Sequence, residues 1–269
     1  MVVVTGASDG IGAAAARLLT DRGDAVIVVG RSPEKTERVA HSLGASFYLA
    51  DFSNFDEVRQ LASRLQNDLP RIDVLANNAG GVMGQRFVTV DGHELTTQVN
   101  HLAPFLLTNL LLATLISSQT SVINTSSSAH RFAGRLDLND LTLEHGYSAF
   151  NAYARAKLMN ILFAAELHRR YHALGLSTAS FHPGVVRTSF ASEFNSSVSG
   201  FYRHATRRLF RSPERGADTL VWLASAAPGT WPSGEYFMDR RIKRPTREAR
   251  HPELATELWD RSLLATGLK

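Results

Sequence analysis

Tyr153 and Lys157 stand four residues apart in the run Asn151-Ala-Tyr-Ala-Arg-Ala-Lys157. In a helix that spacing sets both side chains on one face. A free phenol titrates near ~10, so it moves a proton at neutral pH only where its phenolate is stabilised. A neighbouring ammonium supplies that stabilisation. Far upstream, Thr5-Gly-Ala-Ser-Asp-Gly-Ile-Gly12 carries glycines at 6, 10 and 12, between an apolar run and the helical pattern from Ala13 to Leu19. Glycine lets the backbone turn and approach a phosphate without a Cβ, and the N–H groups at the start of the following helix attract the anion. A proton-moving phenol and a turn fit for pyrophosphate point together to nicotinamide-dependent redox chemistry.

The end of the second strand selects between the two nicotinamide dinucleotides, because an acid there accepts from a free 2′-OH and repels a 2′-phosphate. Here the residues are Val28-Val-Gly-Arg-Ser32, with no acid. Arg31 offers a phosphate two parallel charge-assisted bonds, and Ser32 a third contact. Asp9, within the glycine loop, places opposing charge near the same phosphate. NADP(H) is therefore the expected cofactor, with NAD(H) as the alternative. Asp51, after Phe47-Tyr-Leu-Ala50, is suited to accept from an adenine amino group, and equally to cap the helix that begins near Asn54. Asn77-Asn-Ala-Gly80 offers amides and a small residue where a ribose or adenine would lie.

The elements that must position these residues alternate in type. Short β-branched runs are expected as strands at Val2 to Val4, Ala25 to Val29, Ser46 to Leu49, Val74 to Ala76, Val122 to Asn124, Ser177 to Phe181 and Glu235 to Phe237. Helical patterns fall at about 10–22, 33–43, 54–67, 93–116, 150–173 and 213–226. This alternation predicts an α/β chain, a doubly wound, seven-stranded parallel sheet with helices on both faces. No repeat or linker interrupts it, so residues 1–269 are expected to form a single domain. The tail from Arg240 is less regular, with six basic residues from Arg240 to Arg250 and then a short helical pattern from Pro252 to Leu264.

Composition narrows the function classes. The 29 Lys and Arg against 25 Asp and Glu leave a formal charge of only +4, so nucleic acid is not an expected partner. The chain has no cysteine, which excludes disulfides, thiolate metal sites and cysteine nucleophiles and fits a reducing compartment, with cytoplasm the simplest expectation. No metal ligand set is expected. The chain opens directly on Met1-Val-Val-Val-Thr5, and no signal peptide is expected. The stretch from Leu102 to Ile116 is broken by Pro104, Thr108 and Asn109 and is shorter than the roughly 20 residues that span a bilayer, so no integral membrane segment is expected either.

These motifs together resemble the short-chain dehydrogenase/reductase family over nearly the whole chain. The resemblance implies a Rossmann-type fold. It maps the glycine loop to Thr5–Gly12, the Asn-Asn-Ala-Gly element to Asn77–Gly80, the structural asparagine to Asn100 and the catalytic pair to Tyr153 and Lys157. The active-site serine falls in Asn124-Thr-Ser-Ser-Ser-Ala-His130; its offset favours Ser127 over Ser126 and Ser128. His182-Pro-Gly-Val-Val-Arg-Thr188 is similar to the segment that meets the nicotinamide carboxamide, with Thr188 as the hydroxyl contact. Cofactor contacts are thus implied at Gly6, Ser8, Asp9, Gly10, Ile11, Gly12, Arg31, Ser32, Asp51, Phe52, Asn78, Ala79, Gly80, Tyr153, Lys157, Pro183, Gly184, Val186 and Thr188. Implied catalytic roles are proton delivery by Tyr153, a hold on the carbonyl oxygen by Ser127, and a water held by Asn100 that relays protons from Lys157. The Ser-Ser-x-Ala-His run, Tyr236-Phe237 and Glu257-Leu-Trp-Asp-Arg-Ser262 most resemble the branch of retinol dehydrogenases and polyketide ketoreductases.

Residues 189–212 follow the proline-glycine turn, where this fold carries a substrate lid. Their aromatic residues suit a lipophilic carbonyl or alcohol substrate. Phe201 to Arg211 also reads as a basic amphipathic stretch. The apolar girth of helix 150–173, with helix 93–116, suggests a homo-oligomer, a dimer or tetramer. Two other classes are a non-catalytic NADP(H)-sensing regulator on the same fold and a basic interaction protein using Arg240 to Arg250.

Overall fold

The computed structural model describes residues 1–186, 210–227 and 229–268. Three valines open it. Val2–Thr5 (β1) sends Val3 to one face of the sheet and Val2 and Val4 to the other, and each meets a separate apolar cluster. Around this strand lie β2 (Val26–Gly30), β3 (Ser46–Leu49), β4 (Val74–Asn77), β5 (Ser121–Thr125), β6 (Ser177–His182), β7 (Glu235–Met238) and β8 (Arg241–Ile242). They form one sheet in the order β3-β2-β1-β4-β5-β6-β7-β8, parallel except for the last pair. The order reverses between β1 and β4, so a crevice opens at the carboxyl ends of those strands.

The sheet has eight strands where seven parallel ones were expected. The additional strand, β8, lies in the basic stretch whose charges hide any alternation. Asp239 and Arg240 make the turn into it, both with positive φ (52° and 58°), the backbone of a two-residue hairpin. Neither is glycine, and ion pairs hold both: Arg211 Nη2 donates to Asp239 Oδ2 at 3.1 Å, and Arg240 Nε to Asp218 Oδ2 at 2.8 Å.

The helices are α1 (Gly10–Thr20), α2 (Pro33–Leu43), α3 (Phe55–Asp68), α4 (Leu95–Thr97), α5 (Ala103–Leu110), α6 (Leu112–Ser117), α7 (Ala149–Tyr171), α8 (Pro213–Ser225) and α9 (Pro252–Thr266). The continuous helix expected over 93–116 is instead three short helices, with one π-helical turn, Gln98–Leu102, between α4 and α5. Pro104 accounts for part of this: it has no N–H to give the Asn100 carbonyl, so an α pattern cannot run through. Glu94 starts the segment, its carboxylate accepting from the N–H groups of Thr96 and Thr97 at 2.8 Å each.

Helix α7 is buried over most of its girth. That girth is covered within the chain, by the sheet, the π-turn and α9, where Trp259 packs on Phe163 and Phe105. It therefore supplies no argument for a second subunit. No described helix is long and apolar enough to cross a membrane.

Candidate active site

The glycine loop is built against the end of β4. A Cβ on Gly12 would lie 2.3 Å from the Gly6 carbonyl oxygen, and one on Gly6 would lie 2.7 Å from Ala79 Cα. Thr5 Oγ1 accepts from the N–H groups of Asn78 and Ala79 at 3.0 Å each, and Asn78 Nδ2 donates to the Thr5 carbonyl at 3.0 Å. Asn77 ties the same strand to its neighbours through Thr108 and Asn124, each at 3.0 Å. Asn78 thus holds the loop rather than simply facing a ligand, and Asn77 anchors the strand end that carries it. The first turn of α1 carries no acid, and Asp9 caps it by accepting from Gly10 N–H at 2.7 Å. Asp9 also lies 3.4 Å from Lys35 Nζ, and this cation offsets the opposing charge expected near a 2′-phosphate. A dinucleotide's pyrophosphate fits this cradle, where side chains at Gly6 and Gly12 would have no room and the N-terminus of α1 begins.

A cleft of about 370 Å³ runs from this loop across the carboxyl ends of the strands. Ser8, Asp9, Gly10, Ile11, Arg31, Asp51, Phe52, Asn78, Ala79 and Gly80 line it, together with Gly6 and Gly12. Ser32 does not line it; it precedes α2, with its carbonyl taken by Thr36 Oγ1 at 2.6 Å. Asp51 does not cap α3, a position Asn54 fills by accepting from Asp56 N–H. Asp51 Oδ1 instead accepts from Ser53 N–H at 2.9 Å within its own turn.

At the other end of the cleft stand Ser127, Tyr153 and Lys157. Lys157 Nζ lies 5.3 Å from the Tyr153 ring centroid and donates to the Thr125 carbonyl at 3.2 Å. The lysine is 3% exposed, and burial pulls its pKa down to about 7. Ser127 caps the turn Ser128–Phe132, its Oγ accepting from Ala129 N–H at 3.1 Å. Ser126 donates to the Lys157 carbonyl at 2.7 Å, and both Ser126 and Ser128 line the cleft beside Ser127. Asn100 is buried behind the cleft wall. Its Nδ2 donates to the Gly81 and Thr96 carbonyls at 2.8 Å each, and its Oδ1 accepts from Gly81 N–H. Its amide is thereby committed to protein partners.

Pro183, Gly184 and Val186 line the cleft, and Arg211 N–H holds the Val185 carbonyl at 2.8 Å. Thr188, most of the 189–212 lid and nearly all of Phe201–Arg211 lie outside the described residues. Sequence reasoning missed Met83, Phe132, Phe150, His182 and Val185, which also line the cleft. Phe132 is 68% exposed and packs on Phe150 with ring centroids 5.7 Å apart. These residues follow no periodic pattern, and their signal was adjacency to motifs: Phe132 and Phe150 to the serine and tyrosine runs, Met83 to Asn77–Gly80, and His182 and Val185 within the segment quoted for the nicotinamide. His182 is buried, and its pKa falls to about 4 through desolvation, helped by the nearby Arg211. Among the described residues no cluster of three or more His, Asp or Glu could hold a metal.

Known proteins are similar to this chain in sequence and fold. The family model for short chain dehydrogenases matches residues 1–199. A protein of Streptomyces sp. strain C5, named as a daunorubicin C-13 ketoreductase, is 42% identical over 99% of this chain and 92% of its own length. Human retinol dehydrogenase 13 is 36% identical over 100% of this chain and 85% of its own. Among solved structures, an uncharacterized protein from Mycobacterium paratuberculosis superposes with TM-score 0.80 at 31% identity, covering 100% of this chain and 93% of that one. A short chain dehydrogenase from Shigella flexneri, solved in complex with NADP, gives TM-score 0.68 at 27% identity over 88% of this chain and 95% of its own. With the glycine cradle, the crevice at the strand order's reversal and these relatives in agreement, the chain belongs to the short-chain dehydrogenase/reductase family of oxidoreductases, in its branch of retinol dehydrogenases and ketoreductases.

Proposed function

We propose that this protein reduces a lipophilic ketone or aldehyde, or oxidises the matching alcohol, with NADP(H), and that Tyr153 is its general acid and base. The observation that carries the reading is a single cleft lined at one end by the glycine loop and Arg31 and at the other by Ser127, Tyr153 and Lys157. A bound nicotinamide supplies or takes the hydride. Tyr153 gives the carbonyl oxygen its proton in reduction and removes it in oxidation. Ser127 Oγ already accepts one bond, which leaves its O–H to hold that oxygen. Lys157, its pKa drawn down to about 7 by burial, exchanges protons readily near neutrality. Asn100, its amide committed and its carbonyl accepting from Asn160 Nδ2 at 3.0 Å, has that carbonyl's second lone pair for a relay water. Arg31, with Lys35 offsetting Asp9, supports the 2′-phosphate.

The relatives' names specify ketone reduction at C-13 of daunorubicin and dehydrogenation of retinol, and for this chain we read a substrate with an apolar body. Phe132, Phe150, Met83 and Val185 suit such a body. Cytoplasmic residence, a single domain and a homo-oligomer belong to the same proposal; sedimentation would measure the last. The test is NADPH and NADH oxidation over a panel of bulky carbonyls, with Tyr153→Phe in parallel. We expect turnover with NADPH preferred, and at least about a hundredfold loss in Tyr153→Phe with cofactor affinity kept. Near wild-type turnover in that variant rejects the tyrosine role, and cofactor binding without any turnover favours the sensing alternative.

A further inference from the structure

Asn160 is 4% exposed and sits one turn beyond Lys157 on α7. Its Nδ2 donates to two backbone carbonyls, Asn100 at 3.0 Å and Thr125 at 3.1 Å. The first is the carbonyl that Pro104 leaves without an α-type donor. The second is the carbonyl that also receives Lys157 Nζ at 3.2 Å. One amide thus pins the π-turn, the end of β5 and, through a shared acceptor, the lysine.

Chemistry fixes the rest of the chain of bonds. With both N–H groups facing carbonyls, Asn160 has only Oδ1 left, so His101 Nδ1, at 3.4 Å, must be the donor. His101 is fully buried and its pKa falls to about 4, so the ring is neutral and its Nε2 is an acceptor. The Ser262 hydroxyl, at 3.0 Å, then donates to it from α9. All the members are buried, and in such surroundings an unmade bond costs more than a made one gains.

We propose that Asn160 is a positioning residue of the active site, holding the Asn100 and Thr125 carbonyls so that Lys157 and the π-turn keep register, with His101 and Ser262 fixing its orientation from the C-terminal helix. This rests on the catalytic reading above only for its consequence in turnover. The placement of Lys157 has its own readout. The chain contains four lysines, Lys35, Lys157, Lys243 and Lys269, so 13C-lysine NMR resolves the titration of the buried one once Lys157→Arg identifies its signal. Among the described residues, Lys157 makes no ion pair with a carboxylate; Tyr153 and Arg155 flank it on α7, whose far end carries Glu166, His168, Arg169, Arg170 and Tyr171, while His101 lies on the π-turn, His130 and Arg131 on the turn after Ser127, and His182 on β6. Burial is the cause of its lowered pKa.

In Asn160→Ala the Thr125 carbonyl is freed for the ammonium and water enters the vacated space. Both favour the charged lysine, so its midpoint moves up by about half a unit or more. Turnover falls by about tenfold or more with cofactor affinity within about twofold, and the midpoint for alcohol oxidation moves with the lysine. His101→Gln, which keeps an N–H donor for Asn160 Oδ1, stays close to wild type, whereas His101→Phe follows Asn160→Ala in direction. An unshifted lysine titration in folded Asn160→Ala overturns the proposal, as does activity lost only in step with the folded fraction. A wild-type chain inactive on every carbonyl counts against the catalytic reading and leaves the lysine titration to decide this one.

Discussion

The cleft has two ends built from different materials. At the glycine loop the work is done by backbone: Gly6 and Gly12 allow the loop to lie against the end of β4, and Thr5 and Asn78 clamp the turn. At the β5–α7 end it is done by buried side chains, Lys157, Asn160, Asn100 and His101, each satisfied by a partner remote in sequence. The first end relies on close approach, and its signature is local because only glycine permits it. The second relies on a costly arrangement, a desolvated cation beside a half-buried phenol, and its signature is spread over the chain. A site for anion binding needs only N–H groups and space, whereas a site for proton transfer needs groups held away from their ordinary pKa.

Lys157→Met tests this contrast most sharply. Turnover should fall by about a hundredfold or more. The burial cost of the lysine is fully present below its folded pKa of about 7 and is relieved as pH rises toward 10.5, its ordinary value. Without cofactor the variant should therefore melt about 4 °C or more above wild type at pH 6, with the difference shrinking at pH 9. An unchanged or lower melting temperature at pH 6 would mean that the lysine is not held at a cost. Gly12→Ala attacks the other end: its Cβ has no room against Gly6, so we expect about 2 kcal/mol lost in stability. Dinucleotide affinity, read by NADPH fluorescence, should fall about tenfold or more. If binding survives intact, the cradle is not where the pyrophosphate lies. Arg31→Ala gives the smallest effect, about tenfold in the ratio of NADPH to NADH affinity with NADH binding unchanged. Equal weakening of both cofactors would remove Arg31 from phosphate recognition.

Much of the architecture was legible because it follows period and punctuation. The expected strands all appear, their ends within one residue, since β-branched runs bounded by turn residues leave little alternative. The helix over 93–116 was misjudged because apolar content there mimics one long buried helix. The missing N–H of Pro104 and the capping by Glu94 break it into segments. β8 escaped notice because its two residues carry a cation and an exposed isoleucine, and its turn depends on Asp239 and Arg240 being held by Arg211 and Asp218. Asp51 and Ser32 show the limit of local reading. Both have the right types for their assigned tasks, yet Asn54 takes the capping role that Asp51 was equally suited to, leaving Asp51 on the cleft, and Ser32 lies off the cleft.

The amino-acid order alone determined that a glycine turn precedes a helix and that a phenol and an amine share a helical face. Those relations span fewer than ten residues and depend on backbone geometry that any helix or turn imposes. Folding decided that the Ser126 hydroxyl is spent on the Lys157 carbonyl, that the Asn100 amide is spent on Gly81, and that Asn160 holds two carbonyls from distant elements. Those relations hang on hydrogen bonds between groups up to 60 residues apart, and only the packed core removes the water that would otherwise satisfy them.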